Sequence, residues 1–469
     1  MSPNPSLENE IAVADMSEST RREETQHERD TEIIYPLTSC AFQPAFGKIY
    51  TLFSSKFVFL ASLLTFEIGS VVCATSQISH VFILGRALAG LGSAGIQAGT
   101  TLILAECVPL RQRPTWNSII GSIFAVGSVA GPLLGGAFSN STTWRWCFYI
   151  NLPIGGAVMI FIALFYDGSR GRKNTSNSTG FSSQVARFDL AGTFTFMSAT
   201  ISLLLELSWG GTTYAWGSAR IVALLTLTGV LFCSFFGIEY WMKDSAIIPL
   251  CLLYRRSIIA AIWFGLCLGG VFFVNDFYIP IWFQIVDCVS VIKSSILFIP
   301  FMIIVVGGFM FAGFGTAATG YYTPFVYAGS ILMSIGEEQG LYMVQTTLPE
   351  IDVATGIGII LFAQTFGGAL FVSQGAENAG SEPGSSLCSG RRKDGGMAAL
   401  PGDSSTQTST ELQAVYGVAI KEALRVGLLL ATISSVGALM YDWKSLKTRK
   451  NDGSGQRNSD NDLDHVAGV

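Results

Sequence analysis

The chain has 469 residues, half of them hydrophobic and only 13% charged, with a net charge of −5. A soluble protein of this size carries about 25% charged residues, so most of this chain's surface faces an apolar phase. The charge distribution holds no basic stripe that would fit nucleic acid. Nine cysteines are present, but they have no metal-ligand spacing. Cys73, Cys107, Cys147, Cys233 and Cys267 sit in or beside apolar runs and read as small buried hydrophobes. His27, His80 and His465 are too scattered to cluster with them. No cofactor or metal is implied.

Residues 1–32 are polar and mixed in charge, without the apolar core of a signal peptide; they read as a disordered cytosolic tail. A spanning helix needs roughly 20 mostly apolar residues. Ten segments reach that length: 57–77, 81–106, 116–138, 148–166, 188–208, 219–241, 258–284, 293–315, 355–373 and 416–440. Two further apolar stretches, 33–46 and 322–335, are short. The first also carries Pro36 and Pro44, which weaken a helix, and it is flanked by basic residues on both sides. The expectation is that 33–46 does not cross the bilayer.

Lys48, Lys56, Arg111, Arg113, Arg170, Arg172, Lys173, Arg187, Lys243, Arg255 and Arg256 fall in alternate loops, and Lys444, Lys447, Arg449 and Lys450 follow the last segment. The loops between hold one basic residue, Arg145. Positive charge marks the cytosolic loops. Of three glycosylation sequons, at Asn140, Asn174 and Asn177, this pattern leaves only Asn140 on the lumenal side.

Several strings carry more than hydropathy. Gly85-Arg86-Ala87-Leu88-Ala89-Gly90-Leu91-Gly92 puts an arginine inside an apolar segment; such a cation faces a partner or a water-filled cavity, or snorkels to a helix end. Gly121–Gly136 sets Gly127, Gly131 and Gly135 along one helix face, with Pro132 and Gly136 beside them. Small residues in this pattern let helices approach closely, so Gly131 is expected to tolerate no bulky side chain. Trp144-Arg145-Trp146-Cys147-Phe148-Tyr149-Ile150-Asn151-Leu152-Pro153-Ile154-Gly155 places aromatics at a polar–apolar boundary. Glu67, Glu206 and Asp276 lie within apolar runs. Each is either a protonatable group for coupling or an acid satisfied by a neighbouring helix.

These strings together resemble the major facilitator superfamily, in its fungal fourteen-span drug:proton antiporter branch of toxin and secondary-metabolite pumps. The Arg86 string looks like that family's fourth-span motif, Gly121–Gly136 like its fifth-span antiporter motif, and Trp144–Gly155 like its WRW-x-FYIN-x-PIG string. Ala41-Phe42-Gln43-Pro44, Asp189-Leu190-Ala191-Gly192 and Phe366-Gly367-Gly368-Ala369 extend the likeness. The resemblance implies an all-α polytopic membrane protein of about 10–12 spans, built as two pseudo-symmetric helical bundles.

On that pattern 33–166 is an incomplete N-terminal bundle, 167–187 a cytosolic loop, and 188–241 two extra linking spans. Residues 242–375 form the C-terminal bundle, 376–412 a flexible extracytosolic loop, 413–443 the last span and 444–469 a cytosolic tail. The resemblance implies that Arg86 helps couple protons to transport and that Gly131, Pro132 and Gly135, with Gly127 and Gly136 of the same motif, shape the antiporter helix; Glu67 and Asp276 are the coupling candidates among the carboxylates in apolar runs. The implied partners are a small organic substrate, protons and the lipid bilayer, in the plasma membrane ahead of the vacuole.

The sequence departs from the family in lacking its first span and a second stretch after Gly336. Thr51 stands where the loop motif has an aspartate. Two readings follow: a proton-coupled exporter, or a non-functional or regulatory remnant of one. An enzyme is not indicated, since the chain has no HExxH string, phosphate loop or nucleophile–base pair.

Overall fold

The computed structural model describes residues 34–168, 189–210, 214–242, 247–248, 255–285, 289–321, 324, 353–380 and 430. Among them the chain is helical, and no strand forms beyond one isolated bridge between Gly210 and Tyr214. The helices are α1 (34–52), α2 (Ser55–Thr75), α3 (Ser79–Cys107), α4 (Arg113–Ser141), α5 (Trp146–Tyr149), α6 (Asn151–Phe165), α7 (Leu190–Trp209), α8 (Ala219–Met242), α9 (Arg256–Ile285), α10 (Val291–Thr319) and α11 (Val353–Gly380). Nine of these segments, from α2 onward and with α5 and α6 counted as one, are long and apolar enough to cross a membrane. They match nine of the ten segments read from hydropathy. The tenth, 416–440, lies outside the described residues except for Leu430, which is helical and packs on Cys267, Val271 and Phe371. The stretches 1–32, 169–188, 325–352 and 381–429 also lie outside, and with them the basic residues at 170–187 and the stretch after Gly336.

From residue 34 on, the stretch 33–46 lies within a longer helix. Its helix continues to residue 52, which at 1.5 Å per residue is about 28 Å, close to the roughly 30 Å hydrocarbon core. Pro36 sits in the first described turn, where a missing N–H is tolerated, and Pro44 is accommodated further along. The helix is modestly hydropathic because protein surrounds it. Leu37 and Cys40 pack with Leu204 of α7, and with Phe362 and Phe366 of α11. Gly47 approaches the backbone of Ala354, Thr355 and Gly358 on α11, and the backbone of Tyr35 approaches Gly90 of α3. A helix enclosed this way does not need the apolarity that lipid contact demands.

Glycine sets the closest approaches. A Cβ on Gly69 would strike the backbone of Ala89, and one on Gly85 the backbone of Cys73, so α2 and α3 touch backbone to backbone. Around this pair one cluster unites Tyr50, Val58, Ala98 and Leu102 with Ile258, Phe264, Leu268, Val353, Ile357 and Ile360. It puts the end of α1, the starts of α2, α9 and α11, and the end of α3 at one level. Lys48, Lys56, Arg111, Arg113, Arg255 and Arg256 therefore gather at one end of the molecule, the basic end. A second seam joins α4 to α9 and α10 through Ala125, Val129, Phe272, Phe298, Met302, Val305 and Phe309. There α4 and α10 run antiparallel: Gly313 abuts Ser118 and Pro114, while Gly136 meets Ile292.

Candidate functional site

The residues singled out from the sequence do not converge on one point. They fall on three polar seams between helices.

The first seam lies between α1 and α3. The Arg86 guanidinium sits 4.7 Å from the centre of the Tyr35 ring, a cation–π geometry, and Arg86 is half-buried. Deeper along the same pair, Gln43 Nε2 donates to Gln97 Oε1 at 2.6 Å. At the basic end, Tyr50 donates to the Gly95 carbonyl at 2.9 Å.

The second seam joins α2 to α5 and α6, and it gives the Trp144–Gly155 string its use. Asn151 Nδ2 donates to Ser70 Oγ at 3.2 Å, and Arg145 donates to the Ser76 carbonyl at 3.0 Å. Trp144 and Phe148 both meet the edge of Phe82, at 5.7 Å and 5.6 Å. Glu67 is 7% exposed and its Oε2 has no hydrogen-bond partner among the described residues. Its other oxygen occupies the space where a side chain on Gly155 would begin. The string is thus more than an interfacial anchor: it fixes α6 on α2 and makes room for a buried carboxyl.

The third seam brings α4 to α9. Asp276 on α9 lies within hydrogen-bonding reach of Ser128 on α4, one residue from Gly127. The antiporter-motif helix and the acid of the following bundle therefore meet directly. Glu206, by contrast, bonds Thr228 Oγ1 at 3.4 Å between α7 and α8, which makes it a tie within the helix hairpin.

The close packing expected of the glycine stripe is not seen among the described residues. Gly127 and Gly131 are exposed, and a Cβ built on Gly127, Gly131 or Gly135 meets nothing within 4 Å among the described residues. Gly136 alone touches Ile292, at 3.4 Å, and Pro132 is exposed. The helix packs on α10 through its other face, where Ala125 is fully buried. Among the described residues, none rests on the stripe in this conformation.

Asn140 lies in the last turn of α4, at the end opposite the basic one. Asn174 and Asn177 are outside the described residues. Thr51, at the aspartate position of the loop motif, bonds the Lys48 carbonyl at 2.7 Å, and Lys56 bonds the Ala163 carbonyl at 2.8 Å; both serve helix ends.

Glu239 and Glu106 carried no motif in the sequence, and Asp189 stood only as part of the Asp189-Leu190-Ala191-Gly192 string. Glu239 is 1% exposed and accepts from the backbone N–H groups of Ile247 and Ile248 at 3.2 Å and 3.3 Å, with Asp189 and Lys48 as charged neighbours. Asp189 is fully buried and caps α7 through the Gly192 N–H at 2.7 Å. Glu106 accepts from Ser55 Oγ at 2.7 Å and from the Tyr166 hydroxyl. The available signal was the residue type alone, a carboxylate at the end of an apolar run, which does not distinguish a helix tie from a working group.

The family profile described as Major Facilitator Superfamily matches residues 33–372. The chain is 37% identical to the efflux pump roqT of Penicillium rubens, over 89% of this chain and 84% of that one. It is 36% identical to the MFS-type transporter astH of Aspergillus oryzae, over 89% and 80%, and 35% identical to the efflux pump aflT of Aspergillus parasiticus, over 89% and 88%. With its helices arranged as described and most of its length shared with these transporters, the chain belongs to the Major Facilitator Superfamily.

Proposed function

We propose that the chain exports a small organic molecule, of the kind fungi make as toxins and other secondary metabolites, and that protons drive the export. Two of the relatives above carry the name efflux pump, which supports the direction of transport. The observation that carries the coupling is Asp276 against Ser128. It puts a protonatable group at the seam where the antiporter-motif helix meets α9. A carboxyl at such a seam changes charge when it takes a proton, and the contact then favours a different packing of the two helices. Arg86 and Glu67 contribute from the first bundle, where each sits on a seam that must hold or shift as the bundles rock.

By the positive-inside rule the basic end is cytosolic, and the plasma membrane is the compartment proposed. The test is transport in proteoliposomes with an imposed pH gradient and rhodamine 6G as the probe. Asp276→Asn is expected to abolish gradient-driven uptake while leaving passive exchange of the probe. Wild-type gradient-driven transport by that variant would remove Asp276 from the mechanism, and absence of transport by the unsubstituted chain would favour the remnant reading.

A further inference from the structure

Gln43 is fully buried in α1, and a carboxamide enclosed by protein needs partners. Its Nε2 has one, Gln97 Oε1 at 2.6 Å. Its Oε1 has none among the described residues. The side chain therefore does one thing: it holds Gln97. Gln97 itself is exposed, although it lies well inside α3, which runs from Ser79 to Cys107. An exposed amide at that depth is unfavourable against acyl chains, where its hydrogen bonds to water are lost. It is favourable against water or a polar ligand.

Position and direction agree. Gln97 follows Arg86 by eleven residues, three helical turns at 3.6 residues each, so the two side chains leave α3 about 20° apart. Both meet α1, Arg86 at Tyr35 and Gln97 at Gln43. α1 in turn lies against α11 of the other bundle. Because Gln97 Oε1 accepts from Gln43, the Nε2 hydrogens of Gln97 remain to be offered outward.

Resting on the export reading above, we propose that Gln97 is a hydrogen-bond donor lining a water-filled path between the two bundles, held in place by Gln43. It would select neutral organic molecules that carry an acceptor oxygen, such as a ketone, lactone or amide. Arg86 lies farther along the same face, so a molecule on this path meets a neutral donor and a cation in succession.

Labelling decides the placement without requiring transport. A Gln97→Cys chain is treated with a negatively charged, membrane-impermeant methanethiosulfonate, and modification is read by mass spectrometry at that position. A thiol reacts as the thiolate, which forms in water and not among acyl chains. Position 97 is expected to react, whereas Ile160→Cys, at a residue 62% exposed on α6, is expected to stay unmodified. Equal inertness of the two overturns the proposal. Transport then tests the selection. Gln97→Leu should raise KM for 7-methoxycoumarin roughly fivefold, the loss of one neutral hydrogen bond, and leave tetraphenylphosphonium unchanged. An equal shift for both probes overturns the donor role. Export of neither probe by the unsubstituted chain would defeat the export reading, while the labelling result would still decide where Gln97 points.

Discussion

The Arg86 guanidinium lies over the Tyr35 ring, 4.7 Å from its centre, and this contact joins α3 to α1. A partly buried cation–π contact contributes about 1–2 kcal/mol. Tyr35→Phe keeps the ring and should transport at near wild-type rates. Tyr35→Leu should weaken the seam by about that amount, seen as a lower melting temperature in detergent. Arg86→Ala and Arg86→Lys are expected to lose efflux at unchanged surface expression; normal efflux in both would show that Arg86 is only an anchor.

The Glu67–Gly155 contact predicts a suppressor pair. Gly155→Ala drives a methyl into the Glu67 carboxyl and should cost about 1–3 kcal/mol, as overpacking does. Glu67→Ala in the same chain removes the obstacle and should restore folded yield by size-exclusion profile. Failure of the second change to rescue the first would mean that Gly155 matters to the backbone and not to Glu67.

Two glycines that look equivalent in the sequence should behave in opposite ways. Gly131→Leu should leave the amount of folded protein unchanged, because its face is open. Gly313→Leu should abolish folding, since Ser118 and the Pro114 carbonyl stand in its way. A drop in efflux by Gly131→Leu at full folded amount would show that the open face closes during the transport cycle. A drop in folded amount would show that it is packed throughout.

The placement of α1 predicts a labelling pattern. Its N-terminal end lies beside Arg86 and Gly90, and its C-terminal end beside the basic end. Ile34→Cys should therefore react with an impermeant thiol reagent in intact cells, and Arg111→Cys only after permeabilisation. The reverse pattern would invert the whole molecule.

Glycosylation checks the same orientation independently. A glycosidase-sensitive gel shift, if the site is used, should vanish with Asn140→Gln. A shift that survives that change and is lost when Asn174 and Asn177 are both replaced would contradict the orientation.

How much of this was legible beforehand depended on what each residue faces. The long apolar helices were readable, because a segment of spanning length must be mostly apolar whether it meets lipid or the protein core, and the segments from 57–77 to 355–373 recur as helices within a few residues. The full length of α1 was not, because protein encloses it: Gln43 Nε2 and the Thr38 hydroxyl find partners within the molecule, so the apolar run breaks off at 46 while the helix continues to residue 52. The Gly127–Gly135 stripe was visible as a stripe, but its partner was not: spacing identifies a smooth face without saying whether a neighbour currently rests on it. Arg86, Glu67 and Asp276 were correctly seen as polar groups in apolar surroundings. Their partners, Tyr35, the space at Gly155 and Ser128, depend on which helices are neighbours, which one sequence alone does not encode. Glu239 was not singled out, because the backbone it ties, Ile247–Ile248, lies beyond the helix itself.

The hairpin α7–α8 is bonded into the molecule on several sides. Leu204 covers Leu37 and Cys40, Phe196 meets Phe362 edge to face at 5.0 Å, and Glu239 grips the chain leading toward α9. Excising this hairpin and rejoining the ends would therefore not leave the rest of the molecule intact. Excision would strip the apolar cover from α1 and leave a raw surface in the middle of the transporter.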